Sequence, residues 1–234
     1  MPYYYGIDWT YVVLVLPVMI LAMLAQANVS STFSKYSKVK LYHDVTGAEA
    51  ARMILDRHGL YHVKIERISG DLTDHFDPKA NVLRLSEPVY GHATAAAVGV
   101  AAHEAGHAIQ YAENYAPMRV RAAIIPACNF GSKLALPLFL IGLLFAMPVI
   151  CYAGIAFFAL AAVFQAVTLP VEYNASNRAL KAMEDSRRFN EEELKASKKV
   201  LGAAALTYVA ALATSLAQIL RLLVIAGGSR NRRD

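Results

Sequence analysis

LALPLFLIGLLFAMPVICYAGIAFFALAAVFQAVTLPV, residues 134–171, is apolar almost without interruption. One helical span of a bilayer core takes about 20 such residues at a rise of about 1.5 Å, so this run is roughly twice too long for a single crossing. It reads as two membrane helices joined by a tight turn between Met147-Pro148 and Gly154, where helix-breaking residues gather. Lys133 marks the entry of this hairpin (residues 133–171) and Glu172 its end. The composition agrees: 56% of the 234 residues are hydrophobic and 18% are charged. That balance is too apolar for an ordinary soluble enzyme and belongs to a membrane protein.

Two further apolar runs flank this centre. Trp9 to Val29 is long enough to span, and residues 1–8 carry Asp8 but no Lys or Arg, so residues 1–29 read as a retained anchor rather than a cleaved signal. Tyr3, Tyr4, Tyr5 and Trp9 suit the interfacial belt. Residues 172–199 read as a polar helical segment, and residues 200–226 as an apolar helix that spans despite Gln218 and Arg221. Residues 227–234, GGSRNRRD, read as a flexible basic tail. The expected architecture is a mainly α-helical integral membrane protein of about four transmembrane helices.

A small α+β module fills residues 30–132. Thr46-Gly47-Ala48-Glu49 fits a capping box that opens a helix to about His58, where Gly59 ends it. Tyr61 to Arg67 alternates Val63 and Ile65 with polar residues and reads as a strand. SGDLTDHFDPKA, residues 69–80, reads as a turn-rich loop, and Asn81 to Leu85 as a second strand. Ser86 is placed to cap a short turn carrying Pro88. TAAAVGVAAHEAGHAIQYAEN, residues 94–114, is rich in Ala and lacks Pro, so it reads as a helix.

The net charge is +5. The basic residues are not interleaved with aromatics in a groove-like run, which excludes a nucleic-acid partner; the lipid bilayer explains them. Lys35, Lys38, Lys40, Arg119, Arg121, Lys133 and the basic residues of 172–199 all fall on one side of a four-span layout. The positive-inside rule places that side, and the α+β module, in the cytoplasm, with the N-terminus outside. The tail's Arg230, Arg232 and Arg233 run against the rule. Cys128 and Cys151 have no metal-type spacing, lie toward opposite faces of this layout and are not expected to pair. Nothing in the sequence specifies an oligomer.

His103, Glu104 and His107 form H-E-x-x-H within the predicted helix. Positions i and i+4 share one helix face, so both imidazoles can converge on one zinc ion per chain, with Glu104 in reach of a water bound there. A pair of core histidines is the plainer reading, but two His and a Glu on an apolar helix are costly to bury without a shared partner. Zinc takes a third protein ligand and leaves a fourth position for water. Glu113 has the ten-residue spacing from His103 at which metzincins place that ligand. It lacks the Gly that turns their chain, since Gln110 stands there, so the helix is expected to continue and carry Glu113 off the ligand face. Glu172, an acidic residue at the end of a membrane helix, is the better candidate; an ordinary interfacial carboxylate is its plainer reading.

KVKLYHDVTGAEAARMILDRHGL, LTDHFDPKANVLRLSEPVYG, AAHEAGHAIQYAENYAPMRVR, VTLPVEYNASNRAL and LTYVAALATSL span most of residues 30–222. Together they resemble the bacterial membrane family of neutral zinc metallopeptidases, also called YugP-like. The resemblance implies a zincin-like module and makes the Glu of LPVE, here Glu172, the third zinc ligand. Glu172 to Ala175 is also similar to the third-ligand motif of HtpX-type and CAAX-prenyl membrane proteases. Those continue with Asp, where this chain has Ser176; Asn174 is the neutral residue nearby that can serve instead as a hydrogen-bond partner for a His ligand. The implied activity is that of a zinc endopeptidase at the cytoplasmic membrane face, with Glu104 as general base. Tyr208 in LTYVA is the candidate donor for the oxyanion, with Arg178 and Arg221 behind it; packing in a membrane helix is Tyr208's plainer role. A peptide or membrane-protein substrate is expected as an added strand near Asn81–Leu85. The alternative is a catalytically silent zinc-binding membrane scaffold or chaperone, against which the intact Glu104 argues. An intramembrane protease of the site-two type is disfavoured, because no L-D-G motif is present and Glu113, Arg119 and Arg121 follow the motif closely.

Overall fold

The computed structural model describes residues 8 to 230. Tyr3, Tyr4 and Tyr5 of the expected interfacial belt, and residues 231–234 of the expected tail, lie outside the described residues. In chain order, a π-helical stretch (Tyr11–Val15) leads into α1 (Leu16–Tyr36), followed by α2 (Gly47–Arg57), β1 (Lys64–Ile68), β2 (His75–Asp77) and β3 (Val82–Ser86). Then come α3 (Glu87–Tyr90), α4 (Ala95–Ala112), α5 (Ala116–Leu144), α6 (Pro148–Ser186) and α7 (Glu191–Arg230). Among the described residues, four helical stretches are long and apolar enough to cross a membrane: Tyr11–Tyr36, Ala116–Leu144, Pro148–Ser186 and Glu191–Gly228. The protein is mainly helical and membrane-type, with one small three-stranded sheet.

The chain forms two compact units. The first gathers Met1–Ala25, Val120–Leu169 and Thr207–Asp234. Its hairpin turns where Ala146 adopts the left-handed conformation (φ 52°), Met147 N–H donates to Gly142 O at 2.7 Å, and Pro148 starts α6. This is a Schellman ending followed by Pro at the first helical position, each where its backbone chemistry suits it. The arms approach closely at Gly142, where a Cβ would lie 2.4 Å from the Cys151 amide nitrogen. Phe139, Cys151 and Ile155 of the hairpin cluster with Leu222 and Ala226 of α7. Leu140, Leu144, Val149, Leu216 and Leu220 face outward, as side chains solvated by lipid do.

The second unit comprises Gln26–Arg119 and Pro170–Leu206. Helix α2 opens with the capping box at Thr46 and Glu49 and buries Ala50, Ala51, Ile54 and Leu55, the one-sided spacing of an amphipathic helix. Gly59 (φ 72°) ends it, with Leu60 N–H returning to Leu55 O. The sheet order is β1-β3-β2, with β3 parallel to β1 and antiparallel to β2. Leu83, Leu85, Val89, Val98, Ile109 and Met183 join α2 in one core.

Several expectations change here. His75–Asp77, within the stretch read as a loop, is a strand, because it finds a partner in Val82–Arg84. Val82–Ser86 is the central strand, paired on both sides, so no extended peptide can add along it; the outer strands are β1 and β2. Ser86 precedes α3 without capping it by its side chain. Its N–H and Oγ instead both donate to the Asp74 carboxylate, at 2.7 and 2.8 Å. Burial pushes that carboxyl above the usual aspartate range, although the two Ser86 donors oppose the shift. Helix α5 begins at Ala116, well before Lys133. The polar stretch 172–199 is divided between the end of α6 and the start of α7, with Arg187 (φ 56°) at the break. Helix α7 continues through Gly227 and Gly228, residues expected to be flexible.

Candidate metal centre

Helix α4 starts behind Thr94, whose Oγ1 accepts from Ala97 N–H, and its Ala-rich surface is buried on nearly every side. The small side chains matter most at Gly106. A Cβ there would sit 2.5 Å from the carbonyl oxygen of Ala175 on α6. The two backbones can meet this closely only because position 106 has no side chain. That contact brings Glu172 and Ser176, both on α6, against the histidines of α4.

His103 Nε2 lies 3.1 Å and His107 Nε2 3.4 Å from Glu172 Oε2. The ligand atoms of His103, His107 and Glu172 all fall within 4.8 Å of one another. Glu172 is 3% exposed, and the two imidazoles meet edge to face with centroids 4.7 Å apart. Each histidine turns its other nitrogen to the protein. His103 Nδ1 is 3.1 Å from Ser176 Oγ, and His107 Nδ1 is 2.9 Å from Gln110 Oε1. Two Nε2 atoms converge on a buried carboxylate while both Nδ1 atoms are held elsewhere, which is the donor set of a His2Glu zinc site. Burial alone would push the His107 imidazole down; the hydrogen bond to Glu172 and the charges of Glu104 and Glu172 outweigh it and hold the metal-free imidazole above the usual histidine range.

Glu104 is also buried, and its Oε2 accepts from the Phe76 N–H of β2 at 3.1 Å. The strand missed in the sequence therefore holds the carboxylate of the motif. Phe76 and Tyr111 lie next to each other as a tilted ring pair, centroids 5.9 Å apart.

The structure thus brings His103, His107 and Glu172 into one cluster and buries Glu104 on the same helix. Glu113 is excluded from it for a different reason than expected. Helix α4 stops at Ala112 in a Schellman ending: Asn114 is left-handed (φ 54°) and Tyr115 N–H returns to Gln110 O at 2.9 Å. Glu113 then pairs with Arg178 Nη1 at 2.6 Å. Asn174 touches neither histidine but accepts from Gln110 and from Arg178. Ser176, not Asn174, is the residue that reaches His103. Tyr208 and Arg221 lie on α7 in the other compact unit, and the ligand cluster is complete without them. Arg221 Nε donates to Asp8 Oδ2 at 3.0 Å. Sequence reading missed Gln110 and Ser176 as partners of the ligands. For Gln110 a signal existed: a lone amide one turn after His107 on an otherwise apolar helix.

Similarity to known proteins bears on the same residues. The sequence pattern of the family described as "Putative neutral zinc metallopeptidase" matches residues 11–227. A relative named "Putative membrane protease YugP", from Bacillus subtilis (strain 168), is 47% identical over 205 residues, covering 88% of this chain and 91% of the relative. No solved structure matches the chain. The match runs from the first apolar helix to the last and takes in both halves of the His-His-Glu cluster, so this chain belongs to the family described as "Putative neutral zinc metallopeptidase".

Proposed function

We propose that the protein is a membrane-embedded zinc-dependent endopeptidase, working at the cytoplasmic face of a bacterial plasma membrane. The observation that carries this reading is Glu104. A closed structural zinc site has no use for a general base, yet here a buried carboxylate sits beside one ligand and is fixed by the Phe76 amide. His103, His107 and Glu172 would hold one zinc per chain, which when bound makes a water more acidic and polarises a peptide carbonyl. Glu104 Oε2 is engaged by Phe76, which leaves Oε1 to take the proton from water and return it to the departing amine. Tyr208 is the proposed donor to the charge that develops on the carbonyl oxygen. The substrate is a peptide or a membrane-protein segment. With β3 central, the edge proposed for it is that of β2, where Phe76 and Tyr111 offer an aromatic surface next to Glu104.

Metal analysis and peptide hydrolysis on the purified protein in detergent test this reading. We expect about one zinc per chain, lost in His103→Ala, and a Glu104→Gln variant that keeps its zinc while losing peptidase activity by at least about 10²-fold. Activity that survives Glu104→Gln removes the general-base role. Zinc retained after both histidines are replaced removes the site. A Tyr208→Phe variant with unchanged kcat removes the oxyanion role.

A further inference from the structure

We infer that Gln110, Asn174 and Arg178 form a one-way hydrogen-bond relay that fixes His107 as the Nδ1–H tautomer, so that Nε2 is the nitrogen available to a metal. The inference rests on the zinc reading above. Two groups in the relay have hydrogen-bonding roles that allow no choice.

The first is Arg178. A guanidinium only donates and stays protonated in proteins. Its Nε lies 2.7 Å from Asn174 Oδ1, so Asn174 must present its oxygen to this junction. Gln110 Nε2 is 2.9 Å from the same oxygen, and it can only donate there. The second fixed group is the Val171 carbonyl, which only accepts. Gln110 Nε2 is 2.8 Å from it. Two independent acceptors therefore demand the amide NH2 of Gln110 on one side, which turns Oε1 toward His107 Nδ1 at 2.9 Å. An amide oxygen only accepts, so Nδ1 must carry a proton, and once the ring is neutral Nε2 holds the lone pair on the side of Glu172.

Gln110 is fully buried, so water cannot substitute for a lost member of the relay. Arg178 is itself held, through Nη1 to Glu113 and by its position 5.8 Å from the Tyr115 ring centroid. The ending of α4 at Ala112 places Glu113 and Tyr115 for this. His103 is treated differently, because the hydroxyl of Ser176 can donate or accept and leaves either tautomer open. One ligand is locked and the other can adapt. Gln110, Asn174 and Arg178 are positioning residues: none belongs to the ligand cluster, and each acts through the next.

The experiment compares the full-length protein in detergent with Gln110→Leu, Asn174→Leu and Asn174→Asp. It has two readouts: zinc affinity by chelator competition, and 15N NMR of the His107 side chain in metal-free protein at alkaline pH, where the ring is neutral. Asn174→Asp still accepts from both Gln110 and Arg178, so its polarity is preserved; it should keep the Nδ1–H tautomer. Asn174→Leu and Gln110→Leu should each show a mixture of tautomers and weaken zinc by roughly 10- to 100-fold. If Gln110→Leu fails to fold, the two Asn174 variants decide alone. A pure Nδ1–H signal in both leucine variants that fold overturns the relay, and so does equal loss of zinc in Asn174→Asp and Asn174→Leu. Absence of zinc binding in the unaltered protein would count instead against the metal-site reading, and the NMR readout would still judge the relay.

Discussion

Ser176 shows what a single hydroxyl can contribute at this centre. It meets His103 Nδ1 at 3.1 Å, and a neutral hydroxyl orients an imidazole without raising its basicity as a carboxylate would. Removing it leaves His103 Nδ1 without its partner but creates no clash. Ser176→Ala should therefore weaken zinc by about tenfold, at the mild end for an outer partner, with the fold and the His107 tautomer unchanged. Chelator competition measures this, and a loss as large as that of Gln110→Leu would contradict the division between an adaptable and a locked ligand. The three residues that cluster here were legible in the sequence: His103 and His107 by spacing, and Glu172 as a carboxylate at the end of an apolar run. Gln110 and Ser176 were not, because which polar side chain meets a ligand depends on the phase at which two helices face each other. Spacing within one helix does not contain that information.

Helices end and approach one another through a few backbone positions, and here these positions set the site. Gly106 lets α4 meet α6, and the Cβ of Gly106→Ala would press on the Ala175 carbonyl. Backbone cannot yield as a side-chain tip does, so this substitution should cost about 1–3 kcal/mol and separate Glu172 from the histidines. We expect zinc affinity to fall further than thermal stability does, as read by chelator competition beside a melting curve. The capping box of α2 gives a pH-dependent case. The Thr46 backbone N–H, and then its hydroxyl, hold the Glu49 carboxyl below the usual glutamate range. A depressed folded pKa means that this stabilisation is fully present above the unfolded value of about 4.3 and is lost as pH falls through the folded value. Glu49→Gln should be less stable than the unaltered protein by about 0.3–1 kcal/mol at neutral pH, with the gap closing toward acid. A gap that widens toward acid would reverse the sign. The capping box was readable because it lies within four consecutive residues. Strand β2 was not: three residues beside turn formers carry no period, and only pairing with β3 makes them a strand. The end of α4 is set not by position 110 but by Asn114, four residues on, which adopts the left-handed ending.

At the scale of the molecule, the apolar runs and their lengths made the membrane character legible, while the partner of Arg221 on α7 needed the structure. Arg221 interrupts an otherwise apolar helix, and a lone guanidinium in hydrocarbon is expensive. It is joined to Asp8, which precedes the first apolar helix, and stacks 5.3 Å from the Tyr11 ring centroid. One turn beyond Arg221 and beside it, Ala226 and Leu222 pack with Phe139, Cys151 and Ile155 near the hairpin turn. The start of the first helix, the hairpin turn and the far part of α7 therefore lie together within their unit. If the basic residues at the other ends mark the cytoplasmic side, as proposed, this face is outside. Cysteine labelling tests both statements. In a Cys128→Ala, Cys151→Ala background, Val149→Cys at the exposed hairpin tip should react with an impermeant maleimide in right-side-out vesicles. Tyr42→Cys, equally exposed in the α+β module, should react only after the membrane is opened. The opposite pattern inverts the orientation and puts the module outside the cell. Reaction of both from the same side breaks the four-crossing arrangement itself, because Val149 and Tyr42 are separated in sequence by α5, which must cross if the hairpin tip and the module face different waters.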